Sequence, residues 1–243
     1  MSDTGKEPSA STRLNKYIGD SGHCSRREAD RLIAEGRVTI NGQKPRYGAQ
    51  VVAGDVVLID GQKLTPRSKQ GRGKHVYIAL NKPVGVTCTT EPGVNGNIVD
   101  FIGHEQRIFP IGRLDKDSEG LILLTSDGDI VNRILRSENN KEKEYLVAVN
   151  HPVTDEFLRA MARGVEIHGQ MTKPCKVRRI AKFGFAIILT QGLNRQIRLM
   201  CAELGYRVKQ LRRVRIVNIK LGHLKVGQWR NLTDVELRGL LPD

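Results

Sequence analysis

The sequence predicts an α+β protein. A small N-terminal α/β module is joined by a basic linker to a larger domain with a mixed, mostly antiparallel sheet flanked by helices. Three observations carry this. Over residues 76–243, strand and helix patterns alternate without a regular strand–helix–strand repeat, which disfavours a doubly wound sheet. Residues 61–75 hold five Lys/Arg, no acid and one large apolar residue, the composition of a solvated linker. With 39% apolar and 27% charged residues, the 243-residue chain has globular composition and room for a small domain plus a medium one.

Residues 1–11 are polar and without periodicity, and are expected to be a disordered tail. In the module over 12–60, Leu14, Tyr17 and Ile18 follow i, i+3, i+4 spacing and predict a short amphipathic helix. Ser25 can cap a second helix, with Glu28 reaching back as a capping box. Ala29, Leu32 and Ile33 give that helix its buried stripe, and Gly36 suits the position just past its end. Val38–Ile40 reads as a strand entering an Asn41-Gly42 turn, and Asp55–Asp60 as its successor. In the domain over 76–243, strands are predicted at Val76–Leu80, Leu121–Ser126, Tyr145–Val149, Cys175–Ile180, Phe185–Thr190 and Arg207–Val217. Helices are predicted over 129–136, 155–163, 195–204 and 234–240.

No apolar run approaches the ~20 residues of a membrane span. The first twenty residues lack an apolar signal core, so secretion is not expected. Cys24, Cys88, Cys175 and Cys201 are far apart, form no C-x-x-C pair, and are expected to be reduced and inert. The six histidines show no metal spacing. Phosphate-loop, dinucleotide and G-x-S-x-G signatures are absent.

The charge balance is informative. Forty Lys/Arg against 26 Asp/Glu leaves +14, which points to a polyanionic partner, and nucleic acid is the usual one. The densest patch is Arg195 to Arg230, with ten basic residues and one acid, Glu203; it includes Arg212, Arg213 and Arg215. A second patch, Arg26, Arg27, Arg31 and Arg37, surrounds the capped helix. Arginine forks match phosphate oxygens, so both patches are candidate RNA contacts. Carboxylates cluster in Gly112-Arg113-Leu114-Asp115-Lys116-Asp117-Ser118-Glu119-Gly120. The segment imitates a calcium loop but has Ser126 at the twelfth position, where a bidentate Glu is needed, and a strand-like Leu-Ile-Leu-Leu run follows it. What remains is an aspartate in a loop before a buried strand, with arginines available to pair with it.

At these residues the sequence resembles the RNA pseudouridine synthases, in the branch that modifies ribosomal RNA. Gly112–Leu121 is similar to the family's catalytic loop, Leu80–Gly85 to its lysine-proline motif, Lys143–Val147 to its tyrosine strand and Asn194–Met200 to its arginine motif. Residues 12–60 resemble the small RNA-binding domain named after a small-subunit ribosomal protein. Ser118 stands where many relatives have Thr, and Gln191 where relatives often have Glu. The resemblance implies a pseudouridine synthase core over 76–243. It implies isomerisation of uridine in ribosomal RNA, large-subunit RNA first, with a transfer-RNA stem-loop as a second substrate. The partner is therefore RNA, not a membrane, and the chain is expected to be a cytoplasmic monomer without cofactor or metal. Asp115 would be the essential carboxylate, attacking sugar or base or abstracting a proton. Tyr145 would stack on the target uracil, and Arg198 would pair with Asp115. The target must leave its helix stack. Arg113 would fill the vacated space, Leu199 would pack on the uracil, Arg195 would bind substrate, and Lys82 would support the loop or a phosphate. Two other readings stay open here: a non-catalytic RNA-binding protein using the same patches, and a metal-dependent nuclease using Asp115 and Asp117.

Overall fold

The structure is a computed structural model that describes residues 11–65, 75–91, 93–128, 130, 134 and 141–240. The expected tail, the centre of the expected linker and most of the helix expected over 129–136 therefore lie outside the described residues. Ile130 and Ile134 of that stretch are described, and both are buried. The chain divides into two compact units, Met1–Lys74 and His75–Asp243.

The first unit runs β1 (Thr12–Arg13), α1 (Leu14–Asp20), α2 (Arg26–Ala34), β2 (Val38–Ile40), β3 (Gln50–Val51), β4 (Val57–Ile59) and β5 (Gln62–Lys63). The Ser25 side chain accepts from the Glu28 N–H at the start of α2. Glu28 turns its carboxylate to Arg31, so the cap forms from the serine side. At the other end Gly36, at φ 74°, lets the Gly36 and Arg37 N–H groups donate to the Ile33 and Leu32 carbonyls. β2, β4 and β5 form an antiparallel sheet, and β1 pairs with β3. Leu14, Ile18, Ala29, Leu32 and Val57 close a small core between helices and strands. β5 and the buried Leu64 carry this unit past the 12–60 bounds read from the sequence. A two-residue polar strand has no apolar signature to announce it.

The second unit runs β6 (Tyr77–Lys82), α3 (Ile98–Ile102), β7 (Phe109–Ile111), β8 (Glu119–Thr125), β9 (Lys143–Val149), α4 (Asp155–Arg163), β10 (Glu166–Ile167), β11 (Gln170–Met171), β12 (Lys176–Ala181), β13 (Gly184–Leu189), α5 (Gln196–Glu203), β14 (Val208–Ile216), β15 (Ile219–Lys220), β16 (Trp229–Asn231) and α6 (Asp234–Leu240). The main sheet has the order β12-β13-β9-β14-β8-β6-β16. Among the described residues, β14 and β8 pair in parallel and the other neighbours in this order are antiparallel, the mostly antiparallel sheet that the sequence predicts. The Leu121–Leu124 run is apolar throughout because β8 is covered on both faces. Ile122 and Leu124 pack towards α3, while Leu121 and Leu123 pack towards α6. A further core gathers Val147, Phe157, Phe185, Ile187, Ile197 and Met200 beneath α4 and α5. Among the described residues, no helix is long and apolar enough to cross a membrane.

The site depends on a fork in this sheet. β6 covers one edge of β8, and two strands share the other. β14 pairs with Glu119 and Gly120, and β7 with Leu123 to Thr125. In the gap between them, the buried Arg213 donates from Nε to the Leu121 carbonyl at 2.7 Å. Gly120 makes this approach possible. At φ 107°, a Cβ there would meet the Arg213 carbonyl oxygen at 2.2 Å and its nitrogen at 2.7 Å. Both atoms are backbone and cannot swing aside. Gly120→Ala is therefore expected to cost about 3 kcal/mol or more in chemical denaturation. Gly192→Ala, where a Cβ has open space, is expected to stay within about 0.5 kcal/mol of the parent. Equal midpoints for the parent and Gly120→Ala would contradict this account of the fork.

Candidate active site

Three segments converge on a cleft of about 510 Å³ in the second unit: the loop from β7 to β8, strand β9, and the turn that leads into α5. The loop, residues 112–118, is fixed from behind. Leu114 is buried and its N–H donates to Cys88 Sγ at 3.4 Å. The Ser118 N–H donates back to the Asp115 carbonyl at 3.0 Å, closing a turn around Lys116 and Asp117. Lys82, fully buried, donates from Nζ to the carbonyls of Pro83 and Val86, both at 2.8 Å. That bracket folds the Pro83–Val86 turn, whose Gly85 N–H reaches the Lys116 carbonyl at 2.8 Å. Lys82 thus braces the loop through its backbone. Burial pulls its pKa below the ordinary lysine value, and the nearby carboxylates of Asp117 and Asp115 oppose that shift.

The front of the loop is held by two arginines. Arg195 precedes α5 in a left-handed conformation at φ 49°, which aims its side chain at the carboxylates. Its two terminal nitrogens donate to the two oxygens of Asp117, at 3.3 and 3.1 Å. Asp115 Oδ2 lies 3.8 Å from Arg195 Nη1. Arg198, one turn further on, donates from Nη2 to the Asp117 carbonyl at 3.0 Å and to Ser118 Oγ at 3.2 Å. The sequence assigns Arg198 to Asp115. The structure corrects this: Arg195 is the arginine beside Asp115, and Arg198 is drawn to the polar atoms of Asp117 and the buried Ser118. Asp115 keeps about a third of its side chain exposed, 34%, and lines the cleft. Partial burial pushes the Asp117 pKa up, and the hydrogen bonds and charges of Arg195 and Arg198 outweigh it, leaving the group below its ordinary value.

The cleft wall is the face of β9 that carries Lys143 and Tyr145, two residues apart and so on one side. Register places Arg213 of β14 opposite Tyr145, with its guanidinium carbon 6.0 Å from the ring centroid. The Arg213 Nη1 donates to the Arg113 carbonyl at 3.3 Å. Arg113 itself is exposed and lines the cleft. Leu199, within α5, is half-buried against the core and lies outside the cleft lining; Leu193 and Ile197 line the cleft instead. Gln191 accepts from the Lys173 N–H at 3.0 Å and from Gln196 Nε2 at 3.4 Å, bonds a neutral amide can make.

The expected RNA arginines divide. Arg26 and Arg27 are exposed, Arg31 is exposed and paired with Glu28, and Arg37 is bound bidentately by Asp60. Arg212 is half-exposed near Glu119. Arg213 and Arg215 are corrections. Arg213 is 3% exposed at the sheet fork, and Arg215 is tied to Glu142 and Glu144 at 3.0 and 3.1 Å. Arg213 is held within the fold by the Leu121 and Arg113 carbonyls, and Arg215, its side chain 17% exposed, is taken up by two carboxylates. Asp117 entered the sequence reading only as a partner of Asp115 in the nuclease alternative, and Lys143 was not singled out as a site residue. The second was detectable, because a residue two before a strand tyrosine shares its face. Among the described residues, no group of three or more His, Cys, Asp or Glu side chains could hold a metal ion, and all four cysteines are free thiols.

Residues 76–203 match the family model described as RNA pseudouridylate synthase, and residues 12–57 match the S4 domain. The chain is 57% identical over 230 residues to the dual-specificity RNA pseudouridine synthase RluF of Escherichia coli (strain K12), covering 95% of this chain and 78% of that protein. It is 35% identical over 237 residues to the ribosomal large subunit pseudouridine synthase B of Bacillus subtilis (strain 168), covering 94% and 95% of the two chains. A crystal structure of a pseudouridylate synthase superposes with a TM-score of 0.68 at 30% identity, covering 94% of this chain and 99% of that one.

The arginine clamp yields a pH-dependent prediction. A carboxylate held below its ordinary value contributes stability above that value and loses it as pH falls through the lowered one. Asp117→Asn is expected to lower unfolding stability by about 0.5–1 kcal/mol at neutral pH, as for an exposed ion-pair network. The gap from the parent should close on acidification below the ordinary carboxylate value of 3.8. Denaturation across pH checks this; a gap that widens on acidification would reverse the assignment.

Proposed function

The chain belongs to the RNA pseudouridylate synthase family, and from that premise we propose site-specific isomerisation of uridine to pseudouridine in ribosomal RNA, of the large (23S) subunit, with a transfer-RNA stem-loop as second substrate. The names of the similar proteins, one dual in specificity and one acting in the large ribosomal subunit, support this choice of RNA. The observation that carries the reading is Asp115: a carboxylate one-third exposed in a cleft that also holds Tyr145, with its neighbour Asp117 absorbing the arginines.

In this reading the target nucleotide leaves its stack and enters the cleft, since neither its sugar nor C5 is reachable within a helix. Arg113 occupies the space it leaves. The uracil stacks on Tyr145, the sugar meets Asp115, and Arg195 contacts the substrate from the rim. The glycosidic C1′–N1 bond breaks, the base turns, and C5 joins C1′. A proton leaves C5 and one is gained at N1, so nothing is oxidised and nothing is added. Such a reaction calls for no redox cofactor, and the chain is expected to act as a cytoplasmic monomer on its RNA. The N-terminal unit, carrying Arg26 and Arg27 on its exposed surface, adds phosphate contacts and affinity.

Tritium release from RNA labelled at uridine C5 tests this. Asp115→Asn is expected to lower single-turnover release on the order of 10³-fold or more while RNA affinity stays within about threefold. Deleting residues 1–70 should raise the RNA needed for half-saturation more than it slows release at saturation. Wild-type release in Asp115→Asn would remove Asp115 from the chemistry, and no release by the wild-type protein from any ribosomal RNA fragment would refute the proposed reaction.

A further inference from the structure

The cleft holds more positive charge than its own acids neutralise. Asp117 is bound by Arg195 and Arg198, and the nearest cation to Asp115 is again Arg195. Among the described residues, Lys143 has no carboxylate within ion-pair distance; its Nζ makes one long hydrogen bond, 3.3 Å, to the Lys141 carbonyl. The charged group that acts on it is another cation, Arg213. Arg213 is 3% exposed, and among the described residues its Nη2 has no hydrogen-bond partner. Two like charges thus line the cleft with Tyr145, one half-buried and one fully buried. Burial, and then Arg213, draw the Lys143 pKa below the ordinary value, as befits a cation without a counter-ion. Holding such a pair costs free energy unless an anion meets it.

Depth decides which anion. The phosphates of an RNA strand run along the rim, where Arg113 and Arg195 are exposed. Lys143 lines the cleft on the Tyr145 face, and in the isomerase reading the inserted base is the part of the substrate that meets it. An intact uracil is neutral. It becomes an anion when the C1′–N1 electron pair stays on N1 and spreads to O2 and O4. Resting on the isomerase reading above, we propose that Lys143 is a further catalytic residue, a cationic contact for the uracil anion formed on glycosidic cleavage, with Arg213 as the positioning residue behind it. The charge disappears again when the pair re-forms a bond from C5 to C1′, so the contact is strongest between ground states, where preorganised charge lowers a barrier.

The test uses the full-length protein and two RNAs, one with uridine and one with 5-fluorouridine at the target. Fluorine makes the departing base a more stable anion that needs less help. Lys143→Met is expected to slow single-turnover loss of the uridine nucleoside by about 10²–10³-fold at saturating RNA, with affinity changed less than about threefold. The defect should shrink by about tenfold on 5-fluorouridine RNA. Lys143→Arg, which keeps the charge, should recover most of the rate and controls for folding. Equal defects on the two RNAs, or a loss confined to RNA affinity, would overturn the proposal while leaving the isomerase reading intact. A wild-type protein that isomerises neither RNA would instead bring down that reading, and this inference with it.

Discussion

The site rests on a division of labour between two aspartates two residues apart. Asp117 is the anchor: Arg195 grips its carboxylate with both terminal nitrogens, and Arg198 takes its carbonyl and the Ser118 hydroxyl. Because those bonds go to Asp117, the carboxylate of Asp115 stays in the cleft with a guanidinium near it at 3.8 Å and not locked onto it. A free, charged side chain on a loop would normally sample many positions. Here the backbone on both sides of it is fixed, by Leu114 beneath, by Gly85 bonding the Lys116 carbonyl, and by the Ser118 turn. Chemistry that needs a reactive group held to within a fraction of an ångström is served by bracing the chain and leaving the reactive side chain unencumbered.

The bracing reaches far in sequence. Lys82, at the end of β6, shapes the turn that supports the loop, and Arg213, on β14, closes the fork from which the loop emerges. Both are buried cations whose bonds go to backbone carbonyls, and neither is free to leave without abandoning those acceptors. Arg213 also lines the cleft, where the proposed reaction passes through an anionic base. A structural cation and the electrostatics of the reaction therefore coincide, and the fold supplies the field as part of its own scaffolding.

Much of this was legible in the sequence, for identifiable reasons. The Leu121–Leu124 run, the Ser25 cap with its Gly36 stop and the Asn41-Gly42 turn are local signals, and each produced the element expected. Asp115 and Tyr145 could be marked because their segments carry recognisable patterns. What the sequence did not display is decided by tertiary partners. β7, three residues with a central Pro110, and β5, two polar residues, exist only because a neighbouring strand accepts them. In the run Arg212 to Arg215, charge suggests a surface for RNA, yet strand alternation and an irregularity in the β14 register turn Arg213 and Arg215 inward to acceptors contributed by β8 and β9. Arg195 and Arg198 differ by one helical turn, and composition cannot say which reaches Asp115. The left-handed residue before α5 decides it.

The central claim is that an everted uridine sits in this cleft with its sugar at Asp115 and its base against Tyr145. A co-crystal structure of the Asp115→Asn protein with a target stem-loop tests it most directly. The account predicts the uracil stacked on the Tyr145 ring, its C1′ within van der Waals contact of residue 115, and the Arg113 side chain in the gap left in the RNA. A target base still stacked in the helix, or one bound away from the Tyr145 face, would contradict it.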